Sequence, residues 1–506
     1  MTPPAPGGPG WEPAPDAEPL DRPSWLPQPP PDPGPGWGPA QPRGWAPSPP
    51  PEPPRGRRVG ALAATLILLL VAGLAVGGMV VAGRREPPAP AAGGTAGPAT
   101  QAPGGRTPTT RAPAGTPPAT AGVRAVEAAV AELRGLRFER SVPVTVESPD
   151  TLAKRLVRVL SDETDEAKLR RQGRAMELLG ELPAGADLPR LMARVQAESV
   201  LGFYLPGRPP KGRLFVRSTR GLDPYARVIL AHELTHAVTD QRYDLTRADR
   251  LAAANTREDE LAAYSGLVEG DATLLMQRYL VERLTPAEQA SAGLAAAADR
   301  TPQRDAAPAV IREALLFPYT EGLAFVRVLY QQGGWAAVDR AYRDPPASTE
   351  QLLHPERYLG DRDRPQAVAV PDLSGRLGSG WRPSAELSFG ELDARLLLQG
   401  ELATTTAQTA AAGWDGGRLR TFQQGRRTAL VLRTVWDSSA EATQFCGAMN
   451  GWATGRFGSA ARAAATLRWS SSTQHTALVC RGPRVAWLSA PDRTTLDRLT
   501  TALGAP

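Results

Sequence analysis

Between Val59 and Gly83 the chain carries no charge, and the centre of this stretch, Leu66-Ile67-Leu68-Leu69-Leu70-Val71, holds nothing polar. Its roughly 25 residues, wound as an α-helix, would extend about 37 Å, enough to cross the ~30 Å hydrocarbon core of a bilayer with some tilt. A cleaved signal peptide does not fit, because the charged start of such a peptide would have to come after the whole of residues 1–58. The expectation is a single transmembrane helix over 59–83, which forbids any common core between the segments on its two sides. Arg55, Arg57 and Arg58 flank it on one side and Arg84 and Arg85 on the other. The larger positive count before the span favours a cytoplasmic N-terminus and an extracytoplasmic C-terminal region.

The 506 residues include 52 prolines and 50 glycines, and most of the excess proline falls before Val123. Residues 1–58 mix Pro and Gly with Trp11, Trp25, Trp37 and Trp45 and show no apolar period, so they are expected to form a disordered cytoplasmic tail. Residues 84–122 are Pro, Ala, Gly and Thr, the composition of a flexible linker. The remaining sequence is long enough for more than one core. Its pattern predicts an α+β class: a mainly helical domain with a small sheet over 123–380, then a smaller C-terminal α+β domain over 381–506.

The formal net charge of +6 and pI of about 9.6 would suit an anionic partner. The basic residues are almost all arginine, with Lys154, Lys168 and Lys211 the only lysines, and they form no cluster. No nucleic-acid partner is expected. Cys446 and Cys480 are the only cysteines. A single pair cannot make a four-thiolate zinc site, and outside the membrane it favours a disulfide.

Helical spacing of Val123, Val126, Val130 and Leu133 opens the folded sequence, succeeded by a strand over 141–146 and helices over 148–160 and 165–179. A strand over 212–218 comes directly before the next helix, and it is either a core strand or an edge offered to an extended substrate. Thr256 and Asp259 predict a helix start, and two further helices are expected over 307–317 and 320–332, the second stopped by Gly333-Gly334. Ser348 starts a short helix ending at His354, and 367–370 reads as a strand. The C-terminal domain alternates strands (430–435, 476–480, 485–488) with helices (439–453, 494–503).

The chemistry concentrates at His232-Glu233-Leu234-Thr235-His236. Asp223 suits an N-cap and Pro224 a first helical position, and no breaker occurs until well past His236, so the segment is expected to be helical. Two imidazoles four positions apart lie about 40° apart on one face, one turn from each other, which suits two corners of a zinc tetrahedron. Glu233 stands beside them, where its carboxylate reaches a water rather than the metal. A catalytic zinc needs a third protein ligand. Glu269, on a later helix, is the leading candidate and Asp271 competes, since the two point about 200° apart and periodicity does not choose between them.

The run His232-Glu-Leu-Thr-His-Ala-Val-Thr-Asp-Gln241, with Val268-Glu269-Gly270-Asp271-Ala272 downstream, resembles the gluzincin branch of the zincin metallopeptidases, and poorly characterised bacterial membrane-anchored zincin-like proteins in particular. The match spans 214–277. The thermolysin-like members carry Asn and Asp where Val268 and Thr273 stand here. The resemblance implies a zincin-like domain in which His232, His236 and Glu269 bind Zn2+ and Glu233 activates water for cleavage of a peptide or protein substrate. Asp240 and Asp271 are candidates to accept the spare N–H of a ligating imidazole. Tyr264, Tyr319 and His354 are the available donors for the oxyanion. The competing expectation is a catalytically inactive envelope scaffold or binding protein.

Overall fold

The computed structural model describes residues 118–163, 165–207, 212–219, 221–254, 256–463 and 466–504. The tail, the expected transmembrane span and most of the linker lie outside the described residues. Among the described residues no helix is long and apolar enough to cross a membrane. The fold is mixed α+β, many helices with two sheets.

Helix α1 (Pro118–Arg134) opens the described chain and begins inside the predicted linker. Pro118 fits a first helical turn, and the alanine-rich sequence after it favours helix. Strand β1 (Val144–Glu147) runs parallel to β3 (Arg213–Arg217), and β2 (Gly202–Leu205) pairs with β3 antiparallel, giving the order β1-β3-β2. The predicted strand over 212–218 is therefore the central one, with both edges paired, and β2 is an outer strand. Helices α2 (Pro149–Glu163), α3 (Glu166–Leu179) and α4 (Leu188–Ser199) lie between these strands in sequence. Leu152, Leu156 and Leu160 of α2 pack on Phe203 and Phe215 of the sheet.

Helix α5 (Pro224–Tyr243) starts as its sequence dictates, with the Asp223 carboxylate accepting the Ala226 N–H at 2.8 Å. From Val228 to Asp240 every residue is buried. A helix with no solvent face must be surrounded. After the short α6 (Arg247–Ala253), α7 (Glu258–Arg283) is buried throughout from Ala263 to Met276. The predicted start at Thr256 does not hold: Thr256 has φ 67°, Arg257 is the N-cap, and Asp259 accepts the Thr349 hydroxyl instead. Helix α8 (Pro286–Ala298) comes next.

Helix α9 (Ala309–Arg343) replaces the two predicted helices over 307–332. Pro318 removes only one N–H, and the buried Phe317, Pro318 and Tyr319 hold the helix continuous. The break comes at Gly333-Gly334, where Gly334 has φ 58°, and helix resumes beyond it. Helices α7 and α9 meet through glycine. A Cβ on Gly270 would lie 2.2 Å from the Gly322 carbonyl oxygen, and one on Gly322 would lie 2.2 Å from that of Gly266. Both obstacles are backbone, so the helices would have to separate. Gly270→Ala is expected to destabilise the protein by about 3 kcal/mol, read as a lower urea midpoint at unchanged slope.

Beyond α10 (Thr349–Leu353), capped by the Ser348 side chain, the predicted strand over 367–370 has no partner strand among the described residues. The carbonyls of Val368, Ala369 and Val370 instead accept hydrogen bonds from the Arg418, Arg433 and Arg420 side chains. Then β4 (Arg382–Ser388), α11 (Glu391–Gln399), α12 (Thr404–Ala411), β5 (Trp414–Gln424), β6 (Arg427–Trp436), α13 (Ser439–Phe457), β7 (Ala461–Ala463), β8 (Thr466–Ser470), β9 (His475–Arg481), β10 (Arg484–Ala490) and α14 (Arg493–Ala502) complete the chain. The strands form one antiparallel sheet in the order β4-β5-β6-β10-β9-β8-β7. One face packs Trp414, Trp436, Trp469 and Trp487 against α11, α12 and α13. The other meets α14 through Leu496 and Leu499. A disulfide joins Cys446 of α13 to Cys480 of β9. The helical part touches this sheet through Asp259 N–H donating to Ser388 Oγ (2.9 Å) and Ser388 N–H donating to Glu258 (3.0 Å).

Candidate metal centre

Burial of α5 and α7 against each other brings His232, His236 and Glu269 to one point. His232 Nε2 lies 3.1 Å from Glu269 Oε2 and 3.0 Å from His236 Nε2, and His236 Nε2 lies 3.5 Å from the same carboxylate oxygen. Tetrahedral bonds of about 2.0–2.1 Å set donor atoms about 3.3–3.4 Å apart. The triangle has that size, and its donor chemistry, two imidazoles and a carboxylate, is the kind zinc takes. All three residues and Glu233 are between 0% and 2% exposed. His232 Nδ1, Glu269 Oε1 and both Glu233 oxygens are buried with no hydrogen-bond partner among the described residues. Orphaned polar atoms are costly in a core, and here they gather around one donor set.

Burial, opposed by the hydrogen bond to the Glu269 carboxylate, pulls His232 down to about 4. Burial also acts against a charge on His236, yet the Glu269 carboxylate beside it outweighs this and raises its pKa. Burial works against the charge of Glu269 in turn, but His236 and the His232 hydrogen bond hold it at about 2. Glu233 goes the other way: burial, with His236 opposing and Glu269 adding, pushes it up to about 8. Strand β2 closes over this acid. A Cβ on Gly202 would stand 3.1 Å from Glu233 Cγ and 3.0 Å from the Phe215 carbonyl oxygen.

Asp271 turns away from the histidines, as its angular offset from Glu269 requires. It accepts Arg134 Nε (2.8 Å), Arg134 Nη2 (3.2 Å) and the Tyr342 hydroxyl (2.9 Å). Asp240 accepts the Tyr204 hydroxyl and the N–H groups of Gly207 and Leu245 at 2.8–2.9 Å. Neither aspartate is hydrogen-bonded to a candidate ligand. Tyr319 of α9 comes beside His232, ring centroids 6.3 Å apart. Tyr264 instead packs in the core beneath Arg247, 5.7 Å from its ring centre. His354 pairs with Glu391 of α11 (3.0 Å) and Arg395 (3.2 Å). Arg134, which no motif marks, is fully buried and bridges Asp271 to Asp339 (2.8 Å) while lying 4.4 Å from the Trp335 ring centre. An arginine ending an amphipathic helix carries no mark that separates it from a surface charge.

A second acidic group, Glu350, Asp363 and Asp437, already encloses a cation, since Arg357 Nη1 stands 3.0, 2.5 and 2.6 Å from the three carboxylates.

Residues 380–500, the second sheet and its helices, match a family described as a domain of unknown function, DUF8575. No curated protein matches the chain. Among solved structures, the chain is similar to a protein from Chloroflexus aurantiacus, provisionally called a hydrolase and said to have a novel fold. The two are 18% identical with a TM-score of 0.33, and the match covers 49% of this chain and 90% of the other.

Proposed function

We propose that this chain is a membrane-anchored zinc metallopeptidase whose folded part lies outside the cytoplasm, held by a transmembrane helix over 59–83. The observation that carries the reading is the convergence of His232, His236 and Glu269 with Glu233 next in sequence. Zn2+ on those three donors would supply Lewis acidity, lowering the pKa of a water and polarising a peptide carbonyl. Glu233 takes a proton from the attacking water on a carboxylate oxygen and returns it to the leaving nitrogen as the C–N bond breaks. Tyr319, whose ring centre lies 6.3 Å from that of His232, would donate its hydroxyl to the developing oxyanion. The Cys446–Cys480 disulfide suits an oxidising compartment. The substrate class is peptide or protein.

Complete burial of the four side chains favours the alternative, a zincin-like scaffold without activity. Digestion of a broad peptide library by the detergent-solubilised full chain separates the two. Cleavage that a chelator removes and added zinc restores supports the peptidase. Bound zinc with no cleavage of any library member supports the scaffold.

A further inference from the structure

A second site lies away from the metal donors, where the helical part meets the large sheet. Helices α3, α4, α6, α7, α9 and α11 with parts of β4 and β5 line an open cavity of about 320 Å³, the size range of small-ligand pockets. Its wall is aliphatic and aromatic: Met176, Leu188, Ile311, Phe317 and Phe389 are typical of it. Several of these are held in the cores on either side, so the walls are fixed by packing that does not depend on an occupant.

The charges in the wall are unequal. Asp165, Glu181, Glu258 and Asp393 line it, against Lys168 alone. Lys168 is committed to Glu258 at 3.5 Å and to the Ala252 carbonyl at 3.1 Å. The Asp393 carboxylate accepts only the Gly390 N–H, at 2.8 Å, and the Glu181 carboxylate has neither a hydrogen bond nor an ion pair among the described residues, while its backbone N–H donates to the Met176 carbonyl (2.9 Å). Burial, with the neighbouring Asp393 adding, pushes the Glu181 carboxyl up to about 8.

We propose that this cavity binds a small amphiphilic cation, its alkyl part against the aliphatic wall and its ammonium group between Glu181 and Asp393. The site is independent of the metal centre and does not require the peptidase reading.

Calorimetric titration of the full chain with hexylammonium, hexan-1-ol and hexanoate, which share one alkyl chain, tests the charge preference. Hexylammonium is expected to saturate one site roughly tenfold more tightly than hexan-1-ol, with no binding of hexanoate. Glu181→Gln should bring the ammonium and the alcohol to within about twofold of each other. Ala314→Trp, on the exposed rim of the cavity, should abolish both and so subtracts any partition elsewhere. Hexanoate binding as tightly as hexylammonium, no saturable hexylammonium site, or hexylammonium binding that both variants leave unchanged would each overturn the proposal. The three-ligand comparison on the unaltered chain stands even if a variant fails to fold.

Discussion

Glu233→Gln is expected to retain bound zinc and lower kcat for peptide cleavage by roughly 10²–10⁴-fold, with KM changed little. The side chain is fully buried, and the isosteric amide keeps its shape and one carbonyl oxygen that can accept a backbone N–H. The change removes only the ability to take up and return a proton. A loss confined to kcat at unchanged thermal stability would assign Glu233 to the reaction. Cleavage within about threefold of the unaltered chain would show that another group moves the proton, because even modest general base catalysis exceeds that margin.

Arg134→Ala carries the largest expected effect on stability, about 3–5 kcal/mol. Removing the guanidinium strands Asp271 as a buried carboxylate with only the Tyr342 hydroxyl left, and it empties the space under Trp335. Asp271 lies on α7 two residues past Glu269, so the loss should also loosen the helix that presents the third donor. Arg134→Lys should recover only part of the stability, since an ammonium cannot span the two Asp271 oxygens and Asp339 in one planar fork. Urea unfolding of the three proteins measures this. A loss below about 1 kcal/mol for the alanine variant would place the pair among ordinary surface ion pairs.

These two residues mark the reach of the sequence. The spacing of His232, Glu233 and His236 survives any fold that keeps α5 helical, and Asp223 with Pro224 secures that helix locally. Periodicity alone does not choose Glu269 over Asp271, because both sit in an apolar run; the family resemblance favours Glu269, and the positions of α1 and α9 show that Asp271 meets Arg134 and Tyr342. Local patterns also failed where long-range partners decide. The alternating stretch 367–370 has no strand beside it, Thr256 lost its capping role to contacts between Asp259 and Thr349, and Pro318 is absorbed in a helix held by its buried neighbours. Strand β2, which lies against Glu233, is short and has Gly202 at its start, a weak strand signal whose reason is the close approach of the acid.

The central claim is that three side chains from two helices grip one ion. Metal analysis of the full chain after dialysis against zinc, alongside His236→Ala and Glu269→Ala, measures it most directly. One zinc per unaltered chain is expected, with each variant weakened by more than the roughly 10–100-fold that loss of an outer-shell partner causes. Zinc retained equally by all three proteins, or by none, would contradict the account.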